Sequence, residues 1–195
     1  MTSTSLLVSG GAIGMALCLF ASPASAQVSQ GGQPLGLLRP ITEPAPIVVA
    51  PTPDVAAYMI EDEERGHRPL RYGALVDVGV DIGDGVWTTM RDGTRVWRIQ
   101  IASPGAKSLA LEFDRFELPN GAKLFVYDEE IATVLGAYTA ENRHADGGFG
   151  FEPFPGDRLT LELDVPAGAG EPDLRTTTVI HDYRDIFGLQ NGTGG

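Results

Sequence analysis

The chain reads as all-β: an antiparallel β-sandwich, jelly-roll-like, preceded by a signal peptide and a Pro-rich linker with a short helix. Three observations predict this. From residue 70 onward, apolar residues recur at every second position in run after run, the period of strands with one buried face. Gly, Pro, Asn and Asp turn signals break these runs about every ten residues, the spacing of a sandwich or jelly roll. No repeating strand-helix pattern occurs, which argues against a parallel α/β sheet.

The elements follow in order. Leu6 to Phe20 is largely apolar and leads into Ser22-Pro23-Ala24-Ser25-Ala26, a small-residue cleavage pattern, so residues 1–26 read as a signal peptide. Met1 to Ser5 lacks the usual Lys or Arg. Residues 27–69 form a linker in which Pro40, Pro44, Pro46, Pro51 and Pro53 disfavour helix and ladder formation. Within it, Asp54 to Arg65 is a short helix capped by Asp54, with Val55, Ala56 and Met59 as a thin apolar face. Its Glu61-Asp62-Glu63-Glu64 run opposes the helix dipole and predicts fraying there.

The sandwich domain spans residues 70–187. Val76, Val78, Val80 and Ile82 share one face, and Asp84-Gly85 turns the chain. Val86 to Met90 and the Arg91-Asp92-Gly93 turn lead into a strand with Trp97, Ile99 and Ile101 inward and Arg98 and Gln100 outward. Ser103-Pro104-Gly105 ends that strand, and Leu109, Leu111 and Phe113 begin the next. Leu124 to Tyr127 and Val134 to Tyr138 are short strands, and Asn142 to Gly150 is a polar loop. After Pro155-Gly156-Asp157, Leu159, Leu161, Leu163 and Val165 point inward, with Arg158, Thr160, Glu162 and Asp164 outward. Arg175 to Tyr183 is the last strand, and residues 188–195 are a Gly-rich tail or linker to a missing domain.

The net charge of −12 falls entirely outside the uncharged leader. Such a surface argues against nucleic acid and anionic membranes as partners and suits an exported protein, secreted or periplasmic. The single cysteine, Cys18, lies in the leader, so a packed core rather than disulfides must hold the domain.

Chemistry-bearing patterns are sparse. His67, His144 and His181 have no metal-ligand spacing, and His181 reads as a strand histidine bonded to backbone. There is no activated-serine motif, dinucleotide fingerprint or phosphate loop. Glu112, Asp114, Glu162 and Asp164 read as solvated strand residues. Asp77, Asp81 and Asp84 leave structural calcium as an alternative, because hard oxygen ligands suit it. Trp97 reads as core, whereas Trp87, beside a turn, is the candidate surface aromatic for sugar stacking. No catalytic, cofactor-binding or metal residue is assigned.

Six short motifs carry a resemblance: Gly85-x-Trp87; Asp92-Gly93-x-x-Val96-Trp97-Arg98; Ser103-Pro104-Gly105-Ala106-Lys107-Ser108-Leu109; Pro119-x-Gly121-Ala122-Lys123-Leu124-Phe125; Pro155-Gly156-Asp157; and His181-x-Tyr183-Arg184. In this order and spacing, over about residues 70 to 187, the chain resembles the N-terminal pro-region of bacterial lysyl endopeptidases and related secreted trypsin-like serine proteases. The resemblance implies a non-catalytic region acting in folding and latency, with the cognate downstream protease domain as its partner in cis. It also implies no membrane association after leader cleavage, and catalytic residues beyond Gly195. No lysine follows Lys123, a departure that bears on strict lysine specificity. The alternative is an accessory sandwich that binds carbohydrate or cell-surface protein for a secreted hydrolase.

Overall fold

The computed structural model describes residues 28–39, 41–66, 71–128, 130 and 133–190. The expected signal peptide, His67 and the tail after residue 190 lie outside them. In chain order the elements are α1 (Leu35–Leu38), β1 (Ile47–Val49), α2 (Val55–Glu64), β2 (Gly73–Asp81), β3 (Val86–Thr89), β4 (Arg95–Ala102), β5 (Ser108–Glu117), β6 (Lys123–Tyr127) and β7 (Val134–Tyr138). A 3-10 turn (Ala140–Asn142), β8 (Phe149–Gly150), β9 (Phe154–Pro155), β10 (Arg158–Val165), β11 (Asp173–Asp182) and α3 (Ile186–Gln190) follow.

Two sheets face each other. One runs β1-β4-β10-β6-β7, with β3 also on β4; the other runs β2-β11-β5-β8, with β9 also on β5. The fold is an all-β sandwich. The period-two runs fill the space between the sheets: Ile99, Ile101, Leu111, Leu161, Leu163 and Val179 are buried in one core. The β5 pattern changes parity after Asp114, so that Phe116 also turns inward. Its pairing with β11 shifts register between Arg175 and Thr176, a bulge that resets the alternation.

Gly85 is required by close approach. A Cβ there would lie 2.2 Å from the Trp97 indole nitrogen, which donates to Ile82 O at 2.9 Å. The Gly85-x-Trp87 and Val96-Trp97 motifs are therefore one packing unit, with Trp87 opposite Trp97 across the β3–β4 ladder.

Two expectations about the N-terminal segment are corrected. The prolines do not prevent a ladder: Ile47–Val49 pair in parallel with residues 100–102 of β4. The triplet fits between Pro46 and Pro51, so neither missing N–H falls within the pairing. Pro46 O in fact accepts from Gln100 N at 2.8 Å. Nor does α2 dock through Val55, Ala56 and Met59. Met59 is half exposed, and the buried residue of this helix is Asp62. Asp54 caps the helix as expected, accepting from Ala57 N at 3.0 Å. The acidic end persists to Glu64 because Arg71 lies 3.1 Å from Glu61 and 2.8 Å from Asp62.

Residues 28–39 and 41–46 cross the outer face of the first sheet as a strap. Gln30 N donates to Ala137 O at 3.0 Å, and Gly36 N to Glu162 Oε1 at 2.7 Å; Arg98 donates to Glu43 O. This covering corrects three of the four outward assignments on β10: Thr160, Glu162 and Asp164 are buried, while Arg158 is exposed as expected.

Candidate functional site

Three motif segments far apart in sequence meet at one corner of the sandwich. The turn after β4 brings Ser103 to His181, with Oγ and Nδ1 2.8 Å apart. Five residues on, Ser108 Oγ donates to Asp182 Oδ2 at 2.7 Å. The 155–157 turn closes the corner: Ser103 N donates to Asp157 O, and Gly156 N to Lys107 O. Asp182 is fully buried, and its carboxylate also accepts from the backbone N–H groups of Arg184, Asp185 and Ile186. It therefore fixes the path of the chain as it leaves β11.

The same exit is tied to α2. Asp62 accepts from Tyr183 Oη at 2.7 Å, Arg184 at 2.6 Å and Arg71 Nε at 3.0 Å. Tyr58 stacks on Tyr183 with ring centroids 6.1 Å apart, and the Arg71 guanidinium lies over the Tyr58 ring. The hydrogen bond from Arg184, then that from Tyr183, with Arg71 adding its charge, holds the Asp62 carboxyl down to about 2.

Ser103 and His181 stand at the separation of a nucleophile and its base. Their surroundings favour a structural role. Ser103 is 0 % and His181 2 % exposed, so a carbonyl substrate has no approach to Oγ. Burial pushes the His181 imidazole down, toward its neutral form. The backbone donors of the turn are engaged: Ser103 N by Asp157 O, Ala106 N by Ser103 O and Lys107 N by Asp182 O. None of these is left to stabilise an oxyanion. What this corner does chemically is hold two chain segments in place. The expectation that His181 bonds backbone is corrected to a side-chain partner.

Residues 81–177 match the family model described as the lysyl endopeptidase N-terminal domain. Residues 81–177 are therefore a domain of the lysyl endopeptidase N-terminal family. The match begins at the last residue of β2 and ends within β11. No solved structure matches the chain.

In this lysyl endopeptidase N-terminal domain a second polar cluster lies beneath the strap. Glu162 accepts from Tyr127 Oη at 2.7 Å as well as from Gly36 N. Asp164 accepts from Leu35 N at 3.3 Å, while its other oxygen is buried without a hydrogen-bond partner. Burial, and next the neighbouring Glu162, push the Asp164 carboxyl up, to about 7; the Leu35 N–H and Lys123 act in the opposite direction. Alternation along β10 gave no sign of this pair as buried, because the burial comes from a segment more than a hundred residues earlier.

The other sequence candidates are placed as follows. Asp81 Oδ1 accepts from Gly83 N and Asp84 Oδ2 from Asp81 N, so both carboxylates order the turn after β2. Among the described residues no group of three or more His, Cys, Asp and Glu is gathered as a metal site. His144 lies in the loop before β8, where its N–H donates to Gly148 O. Trp97 is core, as expected. Trp87 is half-buried against that core with Arg95 over its ring, rather than an exposed stacking platform. Glu112 and Asp114 do face solvent; Asp114 pairs with Arg175.

Proposed function

We propose that this chain is the non-catalytic N-terminal region of a secreted trypsin-like serine endopeptidase, and that it assists folding of the protease and keeps it latent. The observation that carries the reading is the match of residues 81–177 to the lysyl endopeptidase N-terminal domain. The closed Ser103–His181 pair supports it, since both groups are spent on architecture.

The physical rationale lies in topology and linkage. A trypsin-like protease depends on strand pairings between distant segments, and such folds form slowly. A domain that has already folded and binds the protease favours the bound state by mass action. Linkage in one chain supplies a high effective concentration, which falls when the linker is cut. The acidic surface, with net charge −12, speeds encounter with a basic partner surface. Export is part of this proposal and rests on the leader pattern of residues 1–26.

Adding the purified chain to mature cognate protease tests latency. Saturable inhibition at micromolar chain supports the proposal. Unchanged hydrolysis of a small lysyl or arginyl ester across that range contradicts it.

A further inference from the structure

We infer that the outer edge of β2, with the groove between β2 and α2, is the surface that receives the partner: an extended, Lys- or Arg-bearing strand of the cognate protease, added to the five-stranded sheet. This rests on the proposed function above and names the surface that would perform it.

The sheet edges differ in length and cover. Pairing with β7 continues into residues 30 and 31, since Gln30 N donates to Ala137 O and Ala137 N to Gly31 O. The open side of β4 is occupied by β1 and β3, and that of β5 by β8 and β9. The strands that end these edges are two to five residues long. Short edge strands are a common protection against unwanted pairing. β2 is nine residues long, and among the described residues it pairs with β11 alone.

The free edge has a defined register. Tyr183 N donates to Tyr72 O, which makes residues 72 and 183 a hydrogen-bonded pair. Hydrogen-bonded and non-hydrogen-bonded pairs alternate along an antiparallel ladder. Leu75, opposite Ile180, and Asp77, opposite Thr178, are then non-hydrogen-bonded positions. Their N–H and C=O groups point away from β11, toward the open edge. Leu75 is also 63 % exposed, so its side chain is open to a partner beside this edge.

A groove of about 530 Å³ runs beside this edge, lined in part by Asp54, Pro53, Tyr58, Glu61, Leu75 and Asp77. The apolar members can take an aliphatic stem, and the carboxylates select a cationic head. Residues 51–66 and 71–81 together hold seven carboxylates and two arginines. The same charge disfavours a second copy of this chain, because β2 against β2 would bring Asp77 and Asp81 toward like charges.

The test is amide hydrogen exchange and binding on the purified chain with the cognate protease. Asp77→Pro removes the outward N–H without removing a bond to β11; Asp77→Lys reverses the charge and guards against a folding effect of proline. The inference expects the protease to slow exchange at Leu75 and Asp77. It also expects both variants, with the circular dichroism of the parent, to bind about tenfold more weakly. Binding of the parent without protection at these amides, or variants that bind like the parent, overturns the surface and leaves the proposed function standing. No binding of the parent overturns the proposed function, and this inference with it.

Discussion

Gly36 sits 2.7 Å from Glu162 through its N–H, at a position where a Cβ would come within 2.3 Å of the other carboxylate oxygen. That oxygen is held by Tyr127 and fully buried, so it has little freedom to move aside. The strap is thereby locked to β10 at a residue that must lack a side chain.

Gly36→Ala is expected to break this lock. Alanine favours helix over glycine by about 1 kcal/mol, which works against the effect. Loss of buried, charge-assisted hydrogen bonds costs more, about 1.5–3 kcal/mol. The net result should be a lower Tm and faster proteolysis within residues 28–46. Gly79→Ala, at a position with no neighbour within 4 Å of the added carbon, is the control and should be near neutral.

Asp164 makes stability depend on pH in the direction opposite to most carboxylates. Its folded-state pKa is raised, so from about pH 4 to pH 7 the folded protein binds more protons than the unfolded chain. Stability falls as pH rises through that window and is level above it. Asp164→Asn should remove this loss, raising stability at pH 8 by on the order of 1–3 kcal/mol and changing little at pH 4. Urea denaturation of both proteins across this range measures it.

Asp62 acts at the acid end. Its folded-state pKa is depressed to about 2, so its contribution is complete above about pH 4 and is lost as pH falls toward 2. Asp62→Asn should flatten this part of the acid limb and lower the Tm at pH 7. It leaves Arg71 and Arg184 without that anion, so amides of α2 should exchange faster than those of β4.

Ser103→Ala tests the structural role of the buried pair. Loss of the bond to His181 should cost about 1–2 kcal/mol in urea denaturation. The parent chain should not be labelled at Ser103 by a fluorophosphonate under native conditions. Labelling that depends on His181 would contradict the assignment.

The sheets were largely legible because period two is a local signal. The β10 leucines, Trp97 with its isoleucines, and the β2 valines face the core as their spacing requires. What escaped is contact between distant segments. Glu162 and Asp164 follow the outward register of β10, yet bonds to residues 36 and 35, separated by 126 and 129 positions, bury them. Ser103 and His181 belong to two separate motifs, 78 positions apart, and neither motif names the other. Asp62 was visible only as one carboxylate in an acidic run. Its partners, Arg71 and Arg184, come from beyond the helix. β1 was hidden by its flanking prolines, whose own amides the pairing does not need.

Refolding of the denatured cognate protease with and without this chain, supplied as a separate molecule, tests the folding and latency role. A folding and latency role predicts a yield of active enzyme that rises with chain concentration and saturates near one chain per protease, followed by inhibition until the chain is removed. Equal yields with this chain and with an unrelated acidic β-sandwich would contradict it.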